Sequence, residues 1–373
     1  FLDEASPMFI AGVLEPFSDI SYMPGRQITN QEVKDADALL IRTRTLCNEE
    51  LLGNSRVRFI GTATIGYDHI DKDYCDKAGI KWVSAPGCNS YSVQQYIAAA
   101  LLRIASENGF SLKDKTIGIV GVGNVGKKVE KLAGIMGMRI ILNDPPRARK
   151  EKNIRFSGLE TLLNESDIVT LHVPLYLSGR DKTFHLIDSD ALRMMKEGSW
   201  LINTSRGEVA DTEALKHAIT NERIGGTVLD VWENEPELDI PLMHMAFLAT
   251  PHIAGYSTDG KANGTVTIVR ELSSFFGFPL NDWSPEQIPP PRFPEISIDC
   301  NGKGSEEIIR RSVFHTYNII EDDVKLRFDP SLFEKIRGNY PLRREFPAYS
   351  VSLRGCSMGI ANQLKDLGFK VFV

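Results

Sequence analysis

Three residues in the second half of the chain are of the types that acid–base chemistry on a small anion requires. Arg206 stands in INTSRGEVAD, Glu235 in LDVWENEP and His252 in TPHIAGYS. Each follows a short apolar run that reads as a buried strand, at 201–203, 227–230 and 247–250. In a parallel sheet all three loops would leave at the carboxyl edge, where ligands bind. An arginine there can clamp a carboxylate through two N–H groups and polarise the neighbouring carbonyl. A histidine can take or give a hydroxyl proton, and a glutamate beside it can orient the ring. Taken singly, each reads more readily as surface polarity. Their shared placement is what points to chemistry.

The elements that must position them begin upstream. The run at 116–120 reads as a buried parallel strand, followed by Gly121, Gly123 and Gly126 in G-x-G-x-x-G spacing and a helical pattern over 125–136. A second apolar run at 138–142 ends at Asp144, 23 residues after Gly121. Gly121 allows the tight turn, Gly123 lets backbone approach a pyrophosphate, and Gly126 lets helix pack on strand. The helix N-terminus then offers free N–H groups to phosphates. Asp144 suits a ribose diol and repels a 2′-phosphate, so the expected cofactor is NAD, with Arg147 nearby as a softening influence.

Length and composition bound the rest. With 373 residues the chain exceeds one ordinary core. It is 42% hydrophobic and 25% charged with a net charge of −6, which is globular and speaks against broad nucleic-acid binding. No apolar run reaches the ~18 residues of a membrane span, so no membrane partner is expected. The opening FLDEASPMF lacks a basic-then-apolar leader pattern. The five cysteines are scattered, odd in number and without CxxC spacing, so free thiols in a reducing cytoplasm and no metal site are expected.

Residues 1–90 alternate strands (Ala38–Ile41, 57–61, 81–84) with helical patterns. A helix opening at Ser90 is apolar nearly all round over 97–104, so it should lie between layers. Further strands are expected at Ile168–Leu171, Trp200–Asn203, Gly226–Leu229 and 246–250, and a helix over 261–276 should return to the first domain. A proline-rich stretch, PLNDWSPEQIPPPRFP, precedes a third unit. This has strands at 296–298, 349–353 and 370–373, one long helix over 305–320, and shorter helices over 331–338 and Met358–Leu367. The expected fold class is α/β: two Rossmann-like doubly wound domains with an interdomain cleft, plus a small C-terminal α+β dimerisation domain. The expected divisions are 1–92 with 254–280 for substrate, 93–253 for NAD, 281–294 as linker and 295–373 for dimerisation. His69 and His172 read as supporting histidines, and Trp232 as packing its loop.

The glycine motif at 121–126, SRG at 205–207, DV-x-x-x-EP at 230–236 and PHIAG at 251–255 together resemble the D-2-hydroxyacid dehydrogenase family over about residues 1–280. The resemblance implies an NAD-dependent oxidoreductase with Arg206, Glu235 and His252 as catalytic residues. It implies Gly121, Gly123, Asn124, Val125, Gly126, Asp144, Val173, Asp230 and Gly255 around the cofactor. Narrower matches are GTATIGYDHID, SAPGCNSYSV, NDPPRA and HIAGYSTDGKANGT, together with the domain after the linker. They imply a phosphorylated 2-hydroxy acid as substrate, contacts at Thr43, Thr64 and Tyr256, and a homodimer through residues after about 285. Thr43 stands where a serine is expected and Val173 where a threonine is expected. A phosphorylated acid needs cations beyond Arg206, and Arg44, Arg343 and Arg344 are the candidates. Other enzymes of the family, such as phosphoglycerate dehydrogenase or a 2-ketoacid reductase, stay open, as does an NAD-sensing scaffold of the corepressor kind.

Overall fold

The computed structural model describes residues 1–3, 8–42, 44–152 and 154–373, so Thr43 lies outside the described residues. The chain divides into two compact units: 1–89 with 257–289, and 90–256 with 290–373.

The first unit holds a five-stranded parallel sheet: β1 (Leu2–Asp3), β2 (Tyr22–Met23), β3 (Ala38–Ile41), β4 (Phe59–Thr62) and β5 (Lys81–Val83), in the order β2-β1-β3-β4-β5. This is the flavodoxin-type doubly wound order. The Thr258–Phe276 helix packs Ile268, Val269 and Leu272 against Leu2, Leu40 and Phe59 of that sheet. Gly61 is needed there, since a Cβ would lie 3.3 Å from Ile268 and 2.8 Å from Leu40.

The second unit holds a six-stranded parallel sheet: β6 (Thr116–Val120), β7 (Arg139–Asn143), β8 (Ile168–Leu171), β9 (Trp200–Asn203), β10 (Gly226–Leu229) and β11 (Leu248–Ala249). The order is β11-β10-β9-β8-β6-β7, so strand order reverses between β6 and β8, the switch point at which ligands bind. The expected strand at 246–250 keeps only two residues of regular pairing, although Thr250 N–H still donates to Leu229 O at 2.9 Å.

The same unit carries a three-stranded parallel sheet, β12 (Glu295–Asp299), β13 (Ser350–Arg354) and β14 (Lys370–Phe372). The single helix expected over 305–320 is two, Ser305–Thr316 and Ile319–Phe328. Tyr317 and Asn318 between them are extended, and the Tyr317 hydroxyl donates to Asp322 Oδ2 at 3.0 Å. The Ser90–Asn108 helix is buried between layers as its composition predicts: Leu101 and Ile104 belong to one core with Ile117, Leu132, Ile308 and Val313. Its buried Gln95 donates to Thr316 Oγ1 at 3.1 Å and to Arg344 O at 2.9 Å.

The expectation of five free thiols is corrected. Cys300 and Cys356 are joined as a disulfide, with Cα atoms 5.2 Å apart. They lie one and two residues beyond the paired ends of β12 and β13, whose register sets Asp299 against Arg354. Cys47 and Cys75 are free thiols, and burial pushes the Cys47 thiol up to about 12 and the Cys75 thiol up to about 11.

Candidate active site

The glycine turn forms as its spacing requires. Gly121 sits at φ 86°, and a Cβ there would strike His172 O at 2.5 Å. A Cβ on Gly126 would strike Gly121 O at 2.1 Å, so strand and helix touch through bare backbone. Gly123 faces open space and caps the Asn124–Ile135 helix with no side chain, leaving the first N–H groups of that helix, at Asn124 and Val125, open to an anion. Asp144 is braced at the end of β7. Its Oδ2 accepts from Val122 N–H at 2.8 Å and its Oδ1 from Arg147 N–H at 3.0 Å. Arg147 does not oppose it, because its guanidinium is drawn to Glu151 at 2.6 Å and to Val122 O. Val173 follows β8 and packs against the turn, its Cγ1 2.8 Å from where a Gly121 Cβ would stand. The cradle fits a dinucleotide.

His172, beside Val173, bonds through its ring to Thr170 Oγ1 at 3.0 Å. Burial pushes its imidazole down to about 3, so it is neutral and acts as a support.

Arg206 leaves β9 on a turn that Asn203 builds. The Asn203 Oδ1 accepts from Ser205 N–H at 3.0 Å and Ser205 Oγ at 2.8 Å, while its Nδ2 donates to Arg206 O at 2.9 Å. Gly207 then presses on the next loop so tightly that a Cβ would lie 1.9 Å from the Trp232 carbonyl carbon. That loop carries Glu235. Trp232 is 3% exposed, and its indole N–H donates to Thr250 O at 3.0 Å, which locks the β10 and β11 loops together.

Glu235 and His252 meet. Glu235 Oε2 lies 2.7 Å from His252 Nδ1, and Oε1 accepts from Trp232 N–H at 3.0 Å. Burial would raise the Glu235 carboxyl, but the His252 charge, these hydrogen bonds and the nearby Arg337 hold it below its ordinary value. A charged carboxylate accepts the Nδ1 hydrogen, which leaves the Nε2 of the neutral ring as an acceptor.

His252 sits at φ 54°, a left-handed conformation that costs a non-glycine residue roughly 1–3 kcal/mol. Asp230 imposes it. Its carboxylate, 1% exposed, accepts from Thr250 Oγ1 at 2.6 Å, Ile253 N–H at 2.8 Å and Ala254 N–H at 2.8 Å. Tyr96 OH lies 2.7 Å from Thr250 Oγ1 and, since that hydroxyl donates to Asp230, must itself donate. Burial raises the Asp230 carboxyl against the opposing pull of His252 and these bonds.

Comparison with known proteins places the chain in a family. A family model described as D-isomer specific 2-hydroxyacid dehydrogenase, NAD binding domain, matches residues 92–254. A second, described as a domain of unknown function, matches residues 287–368. A protein named erythronate-4-phosphate dehydrogenase from Bacteroides thetaiotaomicron is 48% identical over 351 residues, 94% of this chain and 98% of its own. One of the same name from Edwardsiella ictaluri is 40% identical over 371 residues, 99% of this chain and 98% of its own. The chain belongs to the erythronate-4-phosphate dehydrogenase family. The solved D-lactate dehydrogenase of Aquifex aeolicus, complexed with NAD and lactic acid, is similar with a TM-score of 0.62 at 28% identity. It covers 74% of this chain and 96% of that one. The resemblance to D-2-hydroxyacid dehydrogenases holds, and the cofactor is NAD.

The remaining family-derived positions divide between the units. In the first, Thr64 follows β4, its hydroxyl 2.7 Å from Thr62 Oγ1 and donating to Gly66 O at 2.9 Å, and Arg44 follows β3 on an exposed turn. Both lie at the carboxyl edge of that sheet. In the second, Gly255 and Tyr256 continue the His252 loop, with Tyr256 N–H donating to Ile253 O at 2.8 Å.

Arg343 departs from expectation. It is 5% exposed, and its Nη2 donates to Ala254 O at 2.6 Å and to Ser92 Oγ. Its guanidinium lies 4.5 Å from the Tyr317 ring centroid. The side chain offered for a phosphate meets the carbonyl of Ala254, the hydroxyl of Ser92 and the face of Tyr317. Arg344 is half-buried next to it. The sequence reading missed Asn203, Thr250, Ser92 and Tyr96. Only Asn203 carried a local signal, an Asn-x-Ser turn pattern.

Proposed function

We infer that the chain oxidises the 2-hydroxyl of 4-phospho-D-erythronate to 2-oxo-3-hydroxy-4-phosphobutanoate with NAD, a step of pyridoxal 5′-phosphate synthesis. The observation that carries the reading is the 2.7 Å contact of Glu235 with His252, on the loop after β11. Arg206 follows β9 in the same sheet as the glycine turn. His252 Nε2 takes the hydroxyl proton as C2 becomes a carbonyl carbon, Glu235 stabilises the imidazolium, and Arg206 clamps the C1 carboxylate. NAD, when bound, accepts the hydride from C2. Gly121, Gly123, Asn124, Val125, Gly126 and Val173 are assigned to the dinucleotide, Asp144 to its adenosine ribose, and Asp230 and Gly255 to its nicotinamide side. Thr43, Thr64 and Tyr256, with Arg44 and Arg344, are assigned to the substrate.

We assign substrate binding to 1–92 with 254–280, NAD binding to 93–253 and dimerisation to 295–373. Support for a homodimer comes from β12, an edge strand bordered by a groove that Ile296, Ile298, Arg310 and Phe314 line. Among the described residues no helix is long and apolar enough to cross a membrane. An enzyme fed by NAD and a phosphorylated metabolite belongs in the cytoplasm.

NAD reduction measured with 4-phospho-D-erythronate, 3-phosphoglycerate and D-lactate tests the reading. Turnover of the first at a kcat/KM well above the others is expected. A preference for either other acid, or turnover of none, overturns it. A sedimentation profile of a monomer overturns the dimer.

A further inference from the structure

Arg337 lies on the Phe333–Gly338 helix, outside every motif that the sequence offered. Its guanidinium lies near two rings, 5.8 Å from the centroid of Tyr256 and 5.3 Å from that of Phe333. Its Nη1 donates to Glu334 Oε1 at 2.7 Å. Its Nε is buried with no hydrogen-bond partner. A buried donor left unused is unfavourable, so the position calls for a reason.

Its neighbours supply one. Burial opposes the charge of Arg337, but Tyr256, Glu235 and Glu334 together raise its affinity for the proton, and Arg337 in turn helps hold Glu235 ionised. The guanidinium therefore stands within electrostatic reach of the catalytic dyad. Glu235 cannot serve as its full partner, because its two oxygens are occupied by His252 Nδ1 and Trp232 N–H. Tyr256 and Phe333 flank the cation, and its Nε donor is unspent. A planar fork of N–H donors matches a phosphate better than a point charge does.

We propose that Arg337 binds the phosphate of the substrate, and so is the residue through which the C-terminal region sets specificity. The proposal rests on the phosphorylated substrate inferred above. Arg206 takes the carboxylate at one end of the acid and Arg337 the dianion at the other, with His252 at the reacting carbon between them. Arg343, from the same segment, bonds Ala254 O and Ser92 Oγ of the neighbouring loop and helix.

The test compares the wild-type enzyme with Arg337→Gln and Arg337→Lys, using 4-phospho-D-erythronate and D-erythronate. Wild-type turnover of the phosphorylated acid comes first, and its absence would sink the functional reading and, with it, this proposal. Given that turnover, Arg337→Gln should raise KM for the phosphorylated acid about 10- to 100-fold and lower its kcat/KM by far more than that for D-erythronate. Arg337→Lys should fall between, and inorganic phosphate should compete in the wild type and not in Arg337→Gln. NADH binding, read by fluorescence, checks that both variants are folded. If Gln alone misfolds, the Lys variant decides by the same comparison. Equal losses with both acids and a displaced pH profile would make Arg337 a positioning residue for Glu235 and overturn the proposal. No change with either acid would overturn it as well.

Discussion

Glu235 Oε2 and His252 Nδ1 lie 2.7 Å apart, and the carboxylate's other oxygen is held by Trp232 N–H. The pair fixes which imidazole nitrogen faces substrate. In Glu235→Gln the amide oxygen can still accept from Trp232, but its NH2 would then meet Nδ1 and favour the wrong tautomer. We expect kcat to fall at least about 100-fold with NADH affinity unchanged, measured by steady-state kinetics and fluorescence titration. Activity near that of wild type would remove Glu235 from the mechanism.

His252→Ala tests the base itself. Loss of a general base lowers turnover by about 10²–10⁴-fold. NADH binding should survive, because the dinucleotide cradle is built at 121–126 and Asp144. The variant also relieves no glycine-like strain, since alanine suits φ 54° no better than histidine.

Acid sensitivity should trace to two groups of opposite chemistry and the same sign. The folded value of His172 is depressed from 6.5 to about 3, so its neutral form stabilises the fold fully above 6.5. That contribution is lost as pH falls from 6.5 towards 3, by up to about 1.4 kcal/mol per pH unit. Glu235 is also depressed, so its share is present above 4.5 and disappears as pH falls through its folded value. Urea midpoints between pH 7 and pH 4 should therefore fall steeply for wild type and more gently for His172→Gln. Parallel curves would exclude His172 as the source.

Gly207 admits no side chain. A Cβ would lie 1.9 Å from the Trp232 carbonyl carbon and 2.3 Å from Glu233 N, both backbone atoms. Gly207→Ala must part the Arg206 loop from the Glu235 loop. A loss of about 3 kcal/mol or more is expected, together with a collapse of kcat, and both are read from thermal melts and kinetics.

Asp144→Ser keeps a helix-capping oxygen and removes the charge. NADP should become a usable cofactor, its kcat/KM rising relative to NAD by about tenfold or more. Arg147 would be freed to help only if Glu151 released it, so Asp144→Ser with Glu151→Gln should shift further.

Much of this was legible from residues alone, for reasons that differ by element. The strands Thr116–Val120, Ile168–Leu171, Trp200–Asn203 and Gly226–Leu229 fall where their apolar runs stand, because strands buried on both faces need continuous hydrophobic sequence. Asp144 and the glycines were legible because their spacing is set by a turn within one βα unit. The break at Tyr317–Asn318 was not, since its cause is the hydroxyl of Tyr317 reaching Asp322 and its ring lying under Arg343. The Cys300–Cys356 pair depended on the register of two strands that meet only after folding. Arg343 looked like an anion ligand because composition shows a charge and not what surrounds it. Arg337 gave no signal at all, as one arginine in a short polar helix.

The bonds from Arg343 to Ala254 and Ser92 also put a clock on the molecule. The loop bearing His252 leaves the ribosome long before the residue that secures it. At about 5–20 residues per second, the 89 residues between Ala254 and Arg343 take several seconds to synthesise. During that interval the His252 loop is held by Asp230 and Trp232 but not yet by Arg343. The contact that Arg343 makes with the His252 loop is therefore completed only once the far end of the chain has been made.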